Sequence, residues 1–239
     1  GSSFTNNDTF NANTGSVSFS KSGTISGNTT FNDVGIAGGV DFGSDSTIDG
    51  NLTIESGGFV DTNPPFYSNN STLTYSDDGQ FYGRSLEWSS ISDAGYPNNV
   101  IIQDNTTLNL GANGGTGTAR QIAGNLTVGN NSTLSMDENG EEMTAALTVL
   151  GDFTNEGTVK LSSSIGGDLV LQGNFDDNGT FNANSRAVFF EGVNTQEINS
   201  TSNPLEIDVM RINKSGGEVV MNQNLDVAET QDPLIFSNN

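Results

Sequence analysis

Runs in which apolar and polar residues alternate recur along the chain, and each of the clearest runs begins with Gly followed by Asn or Asp. These runs occupy residues 50–54, 124–128 and 151–154, and a degraded copy begins at Gly173. Gly and Asn accept the left-handed backbone of a sharp corner, and alternating residues give a strand one apolar face and one polar face. Each copy therefore predicts a corner followed by a short β-strand.

The spacing of these copies indicates a stacked architecture. Gly124 and Gly151 lie 27 residues apart, and Gly151 and Gly173 lie 22 residues apart, which is typical of one solenoid coil. We therefore predict an all-β protein, a single right-handed parallel β-helix of roughly ten coils over residues 4–239. The alternative is an antiparallel β-sandwich, which also has short strands and turns but gives no reason to repeat one phrase.

Two parts of the chain depart from the repeat. Residues 1–3 resemble a cleavage scar left by recombinant expression and are set apart from the predicted fold. Residues 77–97 contain the single Trp of the chain and lack the repeated phrase. We expect an irregular loop or coil in this second part.

The charge of the chain limits its partners. The 239 residues include 29 Asp and Glu but only 7 Lys and Arg, which gives a formal net charge of −22. A surface of this sign repels phosphate backbones and anionic lipid headgroups, so we expect no nucleic-acid partner. No apolar run approaches the roughly 20 residues of a membrane-spanning helix, so we expect no direct membrane insertion.

The absence of Cys and His removes several kinds of chemistry. Disulfides, thiolate metal sites and His-based triads are excluded. Adjacent carboxylates such as Asp77 and Asp78 either point to opposite faces of a strand or lie in turns, which does not fit a catalytic pair. We therefore predict a protein that is not an enzyme and has no cofactor. Calcium held by oxygen ligands is the exception left open, with Asp137, Glu138 and Glu141 as candidate ligands.

The irregular segment contains the candidate ligand-binding residues. Tyr82, Trp88 and Tyr96 supply aromatic faces of the kind that stack on sugar rings. Arg84 and Glu87 add groups that can hydrogen-bond sugar hydroxyls. If these five side chains are exposed together, they form a glycan-binding platform. The alternative is that Trp88 and Tyr96 pack the segment against the side of the solenoid.

The stretch from Arg84 to Pro97 also carries a resemblance. It is similar to a segment of large repetitive surface proteins of Bacteroidota, and the repeated Gly-Asn phrase is similar to the β-helical repeats of those proteins. The resemblance implies export through the outer membrane by the type IX route and a location on the cell surface or in the medium. It implies no catalytic residue.

These observations predict a secreted or cell-surface, non-catalytic segment that acts as a stalk, an adhesin or a filament subunit. The alternatives are a polysaccharide-binding module centred on Trp88 and a β-helical enzyme that degrades polysaccharides. The predicted partners are glycans or further copies of the chain, since an uncapped solenoid end offers unpaired backbone groups.

Overall fold

The structure is a computed structural model that describes residues 2–8, 10–202, 204–227 and 234–236. Within these residues the chain forms short β-strands and one turn of 3-10 helix at Leu86–Trp88. The strands before that turn are β1 (Ser2–Thr5), β2 (Ser16–Phe19), β3 (Gly23–Ser26), β4 (Thr29–Phe31), β5 (Asp33–Ile36), β6 (Gly39–Asp41), β7 (Ser46–Ile48), β8 (Asn51–Glu55), β9 (Phe59–Val60), β10 (Phe66–Tyr67), β11 (Thr72–Ser76) and β12 (Phe81–Gly83). The strands after it are β13 (Asn99–Ile102), β14 (Thr107–Asn109), β15 (Arg120–Ile122), β16 (Leu126–Val128), β17 (Thr133–Ser135), β18 (Leu147–Val149), β19 (Phe153–Asn155), β20 (Thr158–Lys160), β21 (Leu169–Leu171), β22 (Phe175–Asp177), β23 (Thr180–Asn182), β24 (Ala187–Gly192), β25 (Gln196–Ser200), β26 (Leu205–Ile207), β27 (Val209–Lys214), β28 (Val219–Met221), β29 (Leu225–Val227) and β30 (Leu234–Phe236).

The strands wind into a parallel β-helix. One sheet, which we call the long sheet, takes one strand from each of ten successive coils, in the order β2-β5-β8-β11-β13-β16-β19-β22-β25-β28. Its strands pair in parallel throughout. The predicted all-β parallel β-helix is therefore confirmed, and the antiparallel β-sandwich is wrong, because the described residues contain parallel pairs and no antiparallel ones.

The sheets that complete each coil change part of the way along the solenoid. The first coils use the sheets β1-β3-β6-β9 and β4-β7-β10, whereas the later coils use β12-β14-β17-β20-β23 and β15-β18-β21-β24-β27-β30, with β26-β29 as a further pair. No ladder joins β9 to β12 or β10 to β15. We call this break, which residues 77–97 occupy, the seam.

Two rows of inward side chains along the long sheet form much of the core. Strand residues two apart share a face, and the parallel register places equivalent residues of successive coils above one another. The first row is fully buried and consists of Val34, Leu52, Leu73, Val100, Leu126, Phe153, Phe175 and Ile198. Each such side chain contributes about 1.5–3 kcal/mol by leaving water.

The second inward row changes from apolar to polar near its C-terminal end. It begins with Phe19, Ile36, Ile54, Tyr75, Ile102 and Val128, and it continues with Asn155 and Asp177. Nδ2 of Asn155 donates to Oδ1 of Asp177 at 2.6 Å and to the carbonyl of Thr180 at 3.2 Å. Burial raises the pKa of Asp177, although the Asn155 bond opposes that rise.

On the outer side of the long sheet, the Asn or Asp of the repeated phrase bonds to the next coil. Oδ1 of Asn99 accepts from the backbone N–H of Asn125 at 2.9 Å, and Oδ1 of Asn125 accepts from that of Asp152 at 2.9 Å. Asp152 and Asn174 continue the row with bonds of 2.8 Å, the last one to Glu197. We call Asn99, Asn125, Asp152 and Asn174 the Asx ladder.

Gly124, which precedes Asn125, and Gly151, which precedes Asp152, leave room for the ladder. A Cβ on Gly124 would lie 2.4 Å from Oδ1 of Asn99, which is closer than real Cβ contacts come. The N-terminal copy repeats the arrangement, since a Cβ on Gly50 would lie 2.5 Å from the Asp33 oxygen that accepts from Asn51. The repeated phrase therefore combines an Asn or Asp, whose side chain accepts a hydrogen bond, with a Gly that leaves space for the acceptor of the preceding coil.

Candidate functional site

The five predicted site residues lie together at the seam, because the chain turns inward after β12. Arg84, Glu87 and Trp88 belong to the 3-10 turn or directly precede it, and Tyr82 is the inward residue of β12. Instead of a third strand, this coil contains the turn and the loop that leads to β13. The seam thus gathers the aromatic and charged residues that the sequence singled out.

Arg84 is buried and bonded to backbone carbonyls. Its Nε donates to the carbonyl of Leu110 at 3.1 Å, and its Nη2 donates to that of Ala112 at 2.9 Å. Its Nη1 donates to the carbonyls of Ser85 and Trp88. Only 3% of Arg84 is exposed, so the guanidinium ties the turn to the following coil and is not presented to a ligand.

Glu87 is a fully buried carboxyl surrounded by Tyr side chains. Its Oε1 accepts from the hydroxyl of Tyr75 at 3.1 Å and from the backbone N–H of Ser85 at 2.8 Å. The hydroxyl of Tyr82 lies close to the Glu87 carboxyl, but neither this hydroxyl nor Oε2 makes a hydrogen bond of good geometry. Tyr67 closes the cluster by donating to the backbone carbonyl of Glu87 at 2.9 Å.

The electrostatics of this cluster follow from burial. Loss of solvent raises the pKa of Glu87, and this effect outweighs the bonds from Ser85 and Tyr75 and the charge of Arg84, all of which lower it. Loss of solvent, reinforced by Glu87, also raises the pKa of Tyr75 well above its ordinary value. Burial and the neighbouring Arg84 lower the pKa of Arg120 to about 10. The cluster therefore favours neutral Glu and Tyr side chains.

Trp88 and Tyr96 are tied to the solenoid by one residue of the next coil. Nε1 of Trp88 donates to the backbone carbonyl of Gln121 at 3.0 Å, and Nε2 of Gln121 donates to the hydroxyl of Tyr96 at 2.8 Å. Trp88 is fully buried, and Tyr96 is partly buried. The structure therefore favours the packing interpretation of these two residues.

The glycan platform centred on Trp88 requires a ring face open to solvent. Burial removes that face, as well as the Arg84 and Glu87 groups that would have reached sugar hydroxyls. The five residues lie together at the seam, where four of them are buried and Tyr96 is partly buried. The physical reason is that the side sheets end at the seam, so side chains must fill the space that strands fill elsewhere in the solenoid.

The calcium candidates lie in one loop, where protein donors already contact their side chains. Asp137 Oδ2 accepts from the backbone N–H of Ser163 at 3.1 Å. Glu141 Oε2 accepts from Nδ2 of Asn109 at 2.7 Å. Glu138 accepts from the hydroxyl of Ser135 at 3.3 Å. In the described ranges, no three carboxylates are grouped closely enough to hold a metal ion.

Two exposed Phe residues stand at the surface of the seam: Phe81, an aromatic residue of the irregular segment, and Phe59, which the sequence analysis did not identify. Phe59 is 41% exposed and Phe81 is 47% exposed, and both line a cleft of about 460 Å³ between β9 and β12. The signal that could have found them is their separation of 22 residues, one coil length, with a Gly-containing turn before each.

The fold defines the class of this chain, which is a parallel β-helix protein. At its seam, a buried polar cluster lies between the side sheets of the first coils and those of the later coils. Comparisons with protein-family models, with curated proteins and with solved structures give no match. No helix in the described residues is long and apolar enough to cross a membrane.

Proposed function

We propose that this chain is a non-catalytic, rigid segment of an exported bacterial surface protein and that it acts as a stalk or an adhesive spacer. The observation that carries the proposal is the long sheet, which runs through ten coils without a break. At about 4.8 Å per strand, this sheet spans about 43 Å along the solenoid axis. A spacer under tension needs such a continuous series of hydrogen-bonded strands to transmit the force.

The bonds along the axis support this role. Successive coils are joined by backbone ladder bonds and, between β13 and β25, also by the Asx ladder on the outer side. Fully buried rows add apolar contact between neighbouring coils. Because each coil contacts only its neighbours, the stability of the segment is approximately a sum of coil and interface contributions. Under tension the coils can therefore unfold one at a time.

The proposed location outside the cell has separate support. The surface is acidic, with 7 basic residues against 29 acidic ones, which keeps repeated segments soluble and apart. The resemblance of residues 84–97 to Bacteroidota surface proteins points to the same location. Antibody labelling of intact and permeabilised source cells tests it, and labelling confined to permeabilised cells would contradict it.

Force spectroscopy tests the mechanical role. With handles at both ends of the chain, we expect stepwise extension, each step releasing one coil, which the strand registers place between 17 residues (Val17 to Val34) and 27 residues (Leu73 to Val100). That corresponds to about 55–95 Å of chain per step. Smooth extension without steps would contradict a load-bearing segment. Product release from polysaccharides incubated with the chain would contradict the non-catalytic part of the proposal.

A further inference from the structure

The cleft at the seam combines aromatic walls with carboxylate acceptors. It is lined by Phe59 and Phe81, and by Asp61, Asp77 and Asn113 among its polar residues. Its volume of about 460 Å³ lies within the range of small-ligand sites. It forms because β9 and β12 share no ladder, so the side-sheet surface is open at this point.

The fold fixes the positions of Phe59 and Phe81. The ring of Phe59 lies over Gly39, where an added Cβ would come within 2.6 Å of the ring. Phe81 is the outward residue of β12 and pairs in register with Thr107. Single exposed apolar residues are common on protein surfaces. Two that line one cleft form an apolar patch of the kind that marks a binding site.

The polar lining offers acceptors and few free donors. Asp77 is only 6% exposed. The side chain of Ser56 and the backbone of Gly57 hydrogen-bond to its carboxyl, and its Oδ1 is closed off from solvent. The donors nearby are committed, since the hydroxyl of Ser85 bonds to the carbonyl of Val60 at 2.8 Å and Nδ2 of Asn113 bonds to that of Arg84 at 2.7 Å. The acidic acceptor that a ligand in the cleft can reach is therefore Asp61, which is exposed.

We propose that this cleft binds a non-acidic sugar unit of a polysaccharide. A sugar ring presents C–H faces, which pack on Phe59 and Phe81, and hydroxyl donors, which bond to the carboxylate of Asp61. Acidic sugars are disfavoured, because the lining contains two carboxylates and no Lys or Arg. This site differs from the buried Trp88 cluster, and it would give the spacer a point of attachment to a glycan.

The test is isothermal titration of the whole chain with defined sugars. The panel contains glucose, maltoheptaose, cellohexaose, mannohexaose, a chitosan hexamer, an acidic oligogalacturonate and a tetralysine peptide. We expect binding of at least one neutral or amino-sugar oligomer and no binding of oligogalacturonate. Comparison of glucose with the oligomers distinguishes a free sugar from a polymer.

Variants locate the binding. Phe81→Ala is expected to weaken the binding by about tenfold, the loss of one stacked ring, and Asp61→Asn to weaken it several-fold. Phe66→Ala is the matched control, because Phe66 is 38% exposed on β10 and lies outside the cleft; its affinity should equal that of the parent. Circular dichroism melting verifies that each variant is folded.

Several results would overturn the proposal. They are an absence of binding by every neutral and amino sugar, binding of oligogalacturonate alone, and binding of tetralysine without any sugar, which would indicate a cationic peptide instead. Equal losses in Phe81→Ala and Phe66→Ala would also overturn it. None of these results bears on the stepwise extension expected of the spacer, so the two proposals fail independently.

Discussion

The contact between Gly124 and Asn99 makes the Asx ladder testable by a double-mutant cycle. In Gly124→Ala, the new Cβ would lie 2.4 Å from Oδ1 of Asn99, and the nearest backbone atom, the carbonyl oxygen of Asn98, is 3.0 Å away. The main obstacle is therefore one side chain. Removing that side chain with Asn99→Ala should make room for the methyl group.

The magnitude follows from the bonds of Asn99. Its Oδ1 accepts from Asn125, and its Nδ2 donates to the carbonyl of Ser71 at 3.1 Å. Two hydrogen bonds at about 0.5–1.5 kcal/mol each give Asn99→Ala a cost of about 1–3 kcal/mol. Gly124→Ala adds overpacking to the displaced ladder bond, for a total of about 2–4 kcal/mol. For a chain of this length, that lowers the melting temperature by about 4–16 °C.

The assay is urea and thermal unfolding followed by circular dichroism. We expect Gly124→Ala to cost less than about 1 kcal/mol in the Asn99→Ala background, which gives a coupling energy of about 1–3 kcal/mol. The control is Gly117→Ala. The nearest atom to its Cβ would be Oγ1 of Thr144 at 3.9 Å, so its effect should be within about 0.5 kcal/mol of zero or slightly stabilising.

Two results would refute this reasoning. One is a Gly124→Ala variant no less stable than Gly117→Ala, which would mean that the coils adjust without cost. The other is an additive cycle, within about 0.5 kcal/mol, which would mean that Gly124 and Asn99 act on stability separately.

Two further predictions concern the buried carboxyl and the acidic loop. The pKa of Glu87 is higher in the folded than in the unfolded state, so its contribution is fully present at low pH and is lost as pH rises above the unfolded value of about 4.5. Glu87→Gln, which mimics the protonated acid, should therefore gain stability relative to the parent as pH rises from 4 to 8 in matched thermal melts; a constant difference would contradict this. Calcium and chelator should give the same melting temperature, because Asp137 and Glu141 already accept protein hydrogen bonds. A calcium-dependent rise of about 3 °C or more, roughly 1 kcal/mol of binding, would show a site.

The solenoid was predictable from the sequence because its signal is local and repeated. Each corner and strand is specified within a few residues, as at 124–128, and parallel stacking brings equivalent copies together. The sequence alone did not show why Gly precedes Asn or Asp in each copy of the repeat. The pattern predicts a left-handed corner at Gly124, but this Gly is not among the described residues with left-handed backbone. Its role is to leave space beside Asn99, which depends on the register between coils and on a residue 25 positions away.

The burial of the candidate site was harder to predict, because its partners carry no sequence signal. Arg84 bonds to the backbone carbonyls of Leu110 and Ala112, and Trp88 bonds to that of Gln121. Every residue has a backbone carbonyl, so a sequence cannot show which ones a side chain will reach. An aromatic and charged segment then resembles a binding surface and a buried plug equally well.

These contacts give the seam a structural explanation. Where the side sheets stop and restart, strand edges lose the ladder partners that hold the rest of the solenoid together, and buried carbonyls without partners are costly. The guanidinium of Arg84 bonds to four backbone carbonyls, in its own turn and in the following coil. Its planar fork of donors suits several fixed acceptors better than the single ammonium of Lys does. The seam therefore replaces ladder bonds by side-chain bonds on its inner side and leaves the cleft of Phe59 and Phe81 on its outer side, so one interruption of the repeat accounts for both the buried cluster and the open site.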